Sequence, residues 1–187
     1  MNLTKNQKIE ILQKENPILR KMSFAIPINK IKTLNIKKNI LLLKTIINNQ
    51  YDAAAISAVQ INKPIRLFLI SKKVFSCERS EAIQKKIKIK NDLIFINPKI
   101  IKISKNKQLL EEGCLSVKYV YGKVLRPEKV SIEAYDETGK KFSRGFSGLL
   151  AQIVQHEIDH LNGILFIDKA IDIQKISPEE YEKMFKN

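Results

Sequence analysis

Histidine and cysteine are scarce in this chain, two of each among 187 residues. Two cysteines far apart in sequence, Cys77 and Cys114, do not make a disulfide scaffold. They fit a reducing, cytoplasmic setting instead, with Cys77 expected as an ordinary free thiol. No apolar run approaches the ~20 residues that a membrane helix needs, so no membrane partner is expected. The segment Met1-Asn2-Leu3-Thr4-Lys5 lacks the apolar core of a secretion signal. Internal repeats and an interdomain linker are also missing. A single domain spanning 1–187, with a sizeable core, is the expected organisation. Arginine is rare as well: 5 against 29 lysines, within a net charge of +15. Nothing resembles a nucleic-acid motif, so DNA is not an expected partner. The lysine, isoleucine and asparagine bias is that of AT-rich codons and explains much of the charge. The charge is nevertheless uneven, with eleven cations and three anions between Lys72 and Lys107. Such a run usually forms a solvated face.

Both histidines lie in one five-residue run, His156-Glu157-Ile158-Asp159-His160. Four residues apart on a helix, they stand on one face, one turn from each other. Two imidazoles so placed can hold one divalent cation. A glutamate directly after the first histidine then lies near the open side of the metal, where it can take a proton from water. The surroundings support a helix. Ser147 is a good N-cap, 149–161 contains no proline or glycine, and Gly163 suits a helix stop. Leu149, Ile153, His156 and His160 share a stripe, which should face inward. The alternative is a pair of ordinary polar histidines on a solvated helix. The cap, the stop and the apolar stripe argue against it, and the chain reads as a metal-dependent hydrolase.

A catalytic site of this type takes three protein ligands and leaves one position open. The long metalloprotease pattern would put a third histidine at position 166, which is Phe166. A second option is a downstream glutamate, Glu179 or Glu180, which would make a zinc endopeptidase of His156, His160 and Glu180. Yet Ser177-Pro178-Glu179-Glu180 has the form of a capping box with proline in the first turn, which accounts for both acids. The third option is Cys114, whose thiolate would suit zinc or ferrous iron. A free cysteine is also often a small buried hydrophobe. Spacing alone does not choose among these.

The segments Glu112-Gly113-Cys114-Leu115-Ser116 and Gln155-His156-Glu157-Ile158-Asp159-His160-Leu161-Asn162-Gly163 together resemble the paired signature of the peptide deformylases. A third family motif, Gly-x-Gly-Leu-Ala-Ala-x-Gln, corresponds to Ala53-Ala54-Ala55-Ile56-Ser57-Ala58-Val59-Gln60. The resemblance spans about residues 9–170. It implies removal of the formyl group from formylmethionine at the start of new polypeptides, with release of formate. It implies that Cys114, His156 and His160 bind one divalent ion, ferrous iron natively, with zinc, nickel or cobalt as substitutes. It assigns Glu157 as general acid/base, and the Gln60 side chain and Leu115 N–H as donors to the oxyanion. It brings the substrate against Ala53, Ala54, Ala55, Glu112, Gly113, Leu149 and Ile153, extended like an added strand. The expected partners are formylmethionyl nascent peptides, with transient ribosome contact through the basic surface, in a bacterial-type cytoplasm. The rival from another class is an inactive, basic ribosome-binding protein of the same fold.

Several positions depart from the family pattern. Ala53 and Ala55 replace glycines, Ser57 replaces alanine, Lys118 stands where proline is common, and Gln152 occupies a usually apolar helix position. These bear on substrate range and efficiency rather than on reaction type. The expected fold is α+β: small antiparallel sheets wrapped around a central metal-binding helix. Ile36, Ile40, Leu43 and Ile47 mark an amphipathic helix. Asn16-Pro17 opens a short turn or helix. Residues 53–60 form a cleft wall entering a strand, and 65–70 are β-rich. A basic surface insertion is expected at 72–90. A strand at 93–96 should end at Asn97-Pro98, followed by 100–104. Val130, Ile132 and Ala134 alternate with polar neighbours, and the hairpin turn at 136–139 returns the chain through 141–146. Residues 164–167 should be a short strand or extended exit. A terminal helix is expected within 177–187.

Overall fold

The computed structural model describes residues 10–50, 53–75 and 91–185. The expected Cys77 thiol and most of the basic insertion fall outside them; its first residues, Lys72–Phe75, form a 3-10 turn.

Among the described residues, eight strands make two antiparallel sheets. The larger has the order β1-β2-β3-β6-β7, from Ala55–Ser57 (β1), Leu67–Ile70 (β2), Leu93–Ile103 (β3), Lys129–Tyr135 (β6) and Lys141–Ser147 (β7). The smaller has the order β4-β5-β8, from Lys107–Cys114 (β4), Val117–Pro127 (β5) and Ile171–Lys175 (β8). Three α-helices complete the described fold: α1 (Leu34–Asn48), α2 (Gly148–Leu161) and α3 (Pro178–Phe185). The motif helix α2 packs against strands of both sheets, as the α+β reading requires.

Alternation organises the core. Every residue of β2 is buried. Leu67 and Leu69 face α1, joining Ile36, Ile40, Leu43 and Ile47 in one cluster. Phe68 and Ile70 face the other way, toward Leu150, Val154, Ile158 and Leu161 of α2. A period of two therefore lets one strand fill two apolar layers. Each such side chain contributes about 1.5–3 kcal/mol on burial. In β6, Val130, Ile132 and Ala134 are buried and their neighbours are not, as the alternation indicated. A third cluster joins Val59, Val117, Val120, Val124 and Phe166 beneath the smaller sheet.

Several expectations need correction. Asn97-Pro98 does not end a strand. Asn97 has φ +51°, and β3 runs through it with a register shift between Ile96 and Lys99. An irregularity of this sort absorbs a proline without ending the strand. The 164–167 segment is not extended throughout, because Phe166–Asp168 form a 3-10 turn. Ser147 occupies the N-cap position of α2, but its side chain makes no capping bond. The stripe on α2 is not uniformly inward, since Leu149 remains 43% exposed. The Gly163 stop holds, with φ +76°. A Cβ there would come within 2.7 Å of the Arg20 backbone, so the close approach also demands glycine. The capping box before α3 is present: Ser177 N–H donates to Glu180 Oε2 at 2.7 Å, and Glu180 N–H donates to Ser177 Oγ at 3.1 Å.

Candidate metal centre

Three elements meet at one cleft. The 3-10 turn Ala58–Ile61 brings Gln60, the end of β4 brings Cys114, and α2 brings His156, Glu157 and His160. The cleft holds about 240 Å³.

Cys114 sits where the β4–β5 register breaks, just before the hairpin turn. Its neighbour Gly113 lies under the Tyr121 ring, and a Cβ there would fall 2.7 Å from that ring. The glycine thus lets an aromatic side chain cross the strand and sets the hairpin tip. The Cys114 sulfur lies 3.1 Å from His160 Nε2. It also accepts from Ser116 N–H at 3.4 Å and from Gln60 Nε2 at 3.7 Å.

On α2 the His156 and His160 rings are 5.0 Å apart, center to center. His156 donates through Nδ1 to Glu112 Oε2 at 2.9 Å. That bond fixes the ring's orientation and leaves Nε2 as the atom that can face an ion. One ligand atom from each of Cys114, His156 and His160 lies within 4.8 Å of the others. Around an ion with bonds of about 2.0–2.3 Å, tetrahedral ligand atoms lie about 3.5 Å apart, so only small closure is needed. A sulfur and two imidazoles suit zinc or ferrous iron. Phe166, at the position excluded as a ligand, packs against the His156 ring with centroids 6.2 Å apart. Glu180 is engaged in its cap, so neither it nor the endopeptidase reading gains support.

Glu157 is buried. Burial pushes its carboxyl above the usual range, partly offset by His156 and by the Ser57 hydroxyl. That hydroxyl donates to Glu157 Oε2 at 2.5 Å. Ser57 also donates its backbone N–H to Gln60 Oε1 at 2.8 Å. The Gln60 amide is thereby turned, with its NH2 toward Ser116 Oγ at 3.1 Å and the Cys114 sulfur. One residue that departs from the family motif therefore touches two of the expected functional side chains.

A buried charged cluster, which no local pattern signals, supports the centre. Arg126 grips Glu112 through Nε at 2.8 Å and Nη2 at 3.0 Å, and reaches Asp159 through Nη1 at 2.5 Å. Lys169 adds a second partner for Asp159 at 2.7 Å. Burial would raise the Glu112 carboxyl, but His156 and Arg126 outweigh it and hold it at about 2. The Glu112 carboxylate is thus committed to Arg126 and His156, so its backbone is what remains for a ligand in the cleft. Ala53, Ala54, Ala55, Gly113, Leu115, Leu149, Gln152 and Ile153 line the cleft with it. Neither Ala53 nor Ala55 has positive φ, so alanine stands there without backbone strain. Gln152 donates to the Glu111 carbonyl at 2.7 Å, pinning α2 to β4.

The family model for polypeptide deformylase matches residues 8–176. The chain belongs to the peptide deformylase family. A relative from Christiangramia forsetii is 34% identical over 84% of this chain and 84% of its own length. One from Psychrobacter cryohalolentis is 40% identical over 86% of this chain and 78% of its own. The solved peptide deformylase of Plasmodium falciparum is similar at 36% identity and a TM-score of 0.73, covering 87% of each chain. That of Acinetobacter baumannii, with Met-Ala-Ser bound, reaches a TM-score of 0.75 at 25% identity, over 86% of this chain and 97% of its own. The family fold, with its antiparallel sheets around α2, is the one described above. Membership makes the chain a metal-dependent hydrolase that removes the formyl group from N-terminal formylmethionine.

Proposed function

We propose that Cys114, His156 and His160 hold the divalent ion and that ferrous iron is the native one, with zinc, nickel or cobalt as substitutes. The observation that carries this is the meeting of the Cys114 sulfur with the imidazoles of α2, beside a buried glutamate. When bound, such an ion supplies a Lewis acid that lowers the pKa of water and polarises the formyl oxygen. The remaining work falls to side chains of this chain. Glu157 takes a proton from the attacking water and passes it to the leaving amine. The Gln60 amide and the Leu115 N–H donate to the oxygen that gains charge. The peptide lies extended between Ala53–Ala55 and the backbone of Glu112 and Gly113, adding a strand at the cleft. Leu149 and Ile153 contact the methionine side chain. Glu112 acts through His156, holding its ring for the metal.

In the cell this reading places the protein in a bacterial-type cytoplasm, acting on nascent chains. Its basic surface favours brief contact with ribosomal RNA. The Met-Ala-Ser bound to the A. baumannii relative is the product such a reaction would leave. Formate release from formyl-Met-Ala-Ser, measured under anaerobic conditions across reconstituted metals, tests the assignment. Ferrous protein should be the fastest and should lose activity in air, since an iron-bound thiolate can be oxidised. Zinc protein outpacing ferrous protein would refute the choice of iron.

A further inference from the structure

Ser57 is fully buried, yet its hydroxyl has no part in the chemistry assigned above. The residue ends β1, where its backbone pairs with Phe68 of β2, and it holds the N-cap position of the Ala58–Ile61 turn. Ile56 and Ala58 on either side are fully buried as well. The hydroxyl is thus carried on a rigid frame and faces Glu157 on α2. It lies 2.5 Å from Glu157 Oε2 and 3.3 Å from the Glu157 carbonyl oxygen. A hydroxyl has one proton, and the nearer, charged acceptor takes it. The bond to Gln60 is of another kind, because it comes from the Ser57 backbone N–H, which any residue but proline would supply. What serine adds over alanine here is a donor to Glu157. The two carboxylate oxygens of Glu157 are consequently unlike. Oε2 is held by Ser57, whereas Oε1 has no donor among the described residues, and Glu157 borders the cleft.

Building on the deformylase reading, we propose that Ser57 is a positioning residue that occupies Glu157 Oε2 and so makes Oε1 the oxygen that exchanges the proton. Oε1 accepts a proton from the attacking water as the water oxygen bonds to the formyl carbon. It gives the same proton to the amine nitrogen as the carbon–nitrogen bond breaks, and the carboxylate is regenerated. The Ser57 proton stays on its own oxygen throughout. The terminal torsion of a glutamate is broad, so an unanchored carboxylate would spread over many orientations. Anchoring one oxygen keeps the other aimed into the cleft. Since Ser57 also holds the Gln60 amide through its backbone, a single residue sets the base and the oxyanion donor relative to each other.

The test compares Ser57→Ala with the unaltered protein, both metal-loaded, in formate release from formyl-Met-Ala-Ser. Alanine removes one buried oxygen, keeps the backbone bond to Gln60 and is the usual residue at this point of the family motif, so the fold should be retained. The kcat should fall about 5- to 50-fold, a fraction of the ~10²- to 10⁴-fold that a general base contributes. KM should stay within about twofold, because the lost bond acts on proton transfer and not on binding. Calorimetry with unformylated Met-Ala-Ser should likewise show unchanged affinity without any turnover. In a Glu157→Ala background the same substitution should alter kcat by less than about twofold, since the group it positions is gone. A structural fault at Ser57 would instead carry through in full. A kcat for Ser57→Ala within about twofold of the unaltered protein, or an undiminished loss in the absence of Glu157, would overturn the positioning role and leave the deformylase reading standing. No formate from the unaltered protein would overturn both.

Discussion

Replacing Arg126 with methionine should destabilise the protein heavily, because it orphans buried charge rather than merely deleting a contact. The arginine side chain is 4% exposed, and those of Glu112 and Asp159 are 3% and 12% exposed. Asp159 keeps Lys169, but Glu112 is left facing only His156. Removing one partner of a buried pair costs about 3–5 kcal/mol. The carboxyl itself supplies a second figure. Holding Glu112 at about 2 instead of 4.5 corresponds to about 3 kcal/mol, shared between Arg126 and His156. For a domain of this size about 2–4 °C of melting temperature accompanies each kcal/mol, so the loss should be about 6–20 °C. Thermal unfolding followed by circular dichroism, on chelated and metal-loaded samples, measures it. Adding Glu112→Gln to Arg126→Met should recover part of the loss, since it removes the orphaned charge. The pH dependence has a definite sign. A depressed carboxyl stabilises fully above its unfolded value of 4.5, and that contribution disappears as the pH falls toward about 2. The gap between unaltered protein and variant should therefore be widest above 4.5 and close below it. A melting point within about 2 °C of the unaltered protein at neutral pH, or no recovery in the double variant, would refute this reasoning.

Three further outcomes are expected. Glu157→Ala should still bind metal, by elemental analysis, while kcat for formate release falls about 10²- to 10⁴-fold; retained turnover would remove Glu157 from proton transfer. Cys114→Ala should lose stoichiometric metal, whereas Glu180→Ala should keep it and lose only about 1 kcal/mol of stability from the broken cap, measured by denaturant titration; the reverse pattern would revive the endopeptidase set. Gly163→Ala should destabilise by more than about 1 kcal/mol in the same titration, since a Cβ there meets the Arg20 backbone at 2.7 Å with φ at +76°.

The parts of this molecule that could be read from the sequence share one property: their signal is local. The His156–His160 spacing, the apolar stripe of α1, the alternation in β6 and the box at Ser177 and Glu180 each depend on residues within a few positions. Cys114 as a partner of His160 was legible only through the resemblance, because nothing in the chain across a separation of 46 positions encodes their approach. Arg126, Asp159 and Lys169 went unread for the same reason. A buried guanidinium looks like any surface arginine until the fold surrounds it. Asn97-Pro98 misled because a local stop signal was overridden by pairing on both sides of β3. The third strand of the smaller sheet, β8, is exposed at every residue, so its short Ile171-Asp172-Ile173 alternation marks no buried face.

Arg126 belongs to β5, while the acids it holds come from β4 and α2. The small sheet and the motif helix are consequently fastened together by the same ionic knot that steers the His156 ring. Strong acid, which protonates the two carboxylates, or a concentrated guanidinium salt, which competes for them, would undock one layer and misalign the ligand in a single event. Loss of the metal would then report on the cohesion of the two layers, and a colorimetric chelator could follow unfolding.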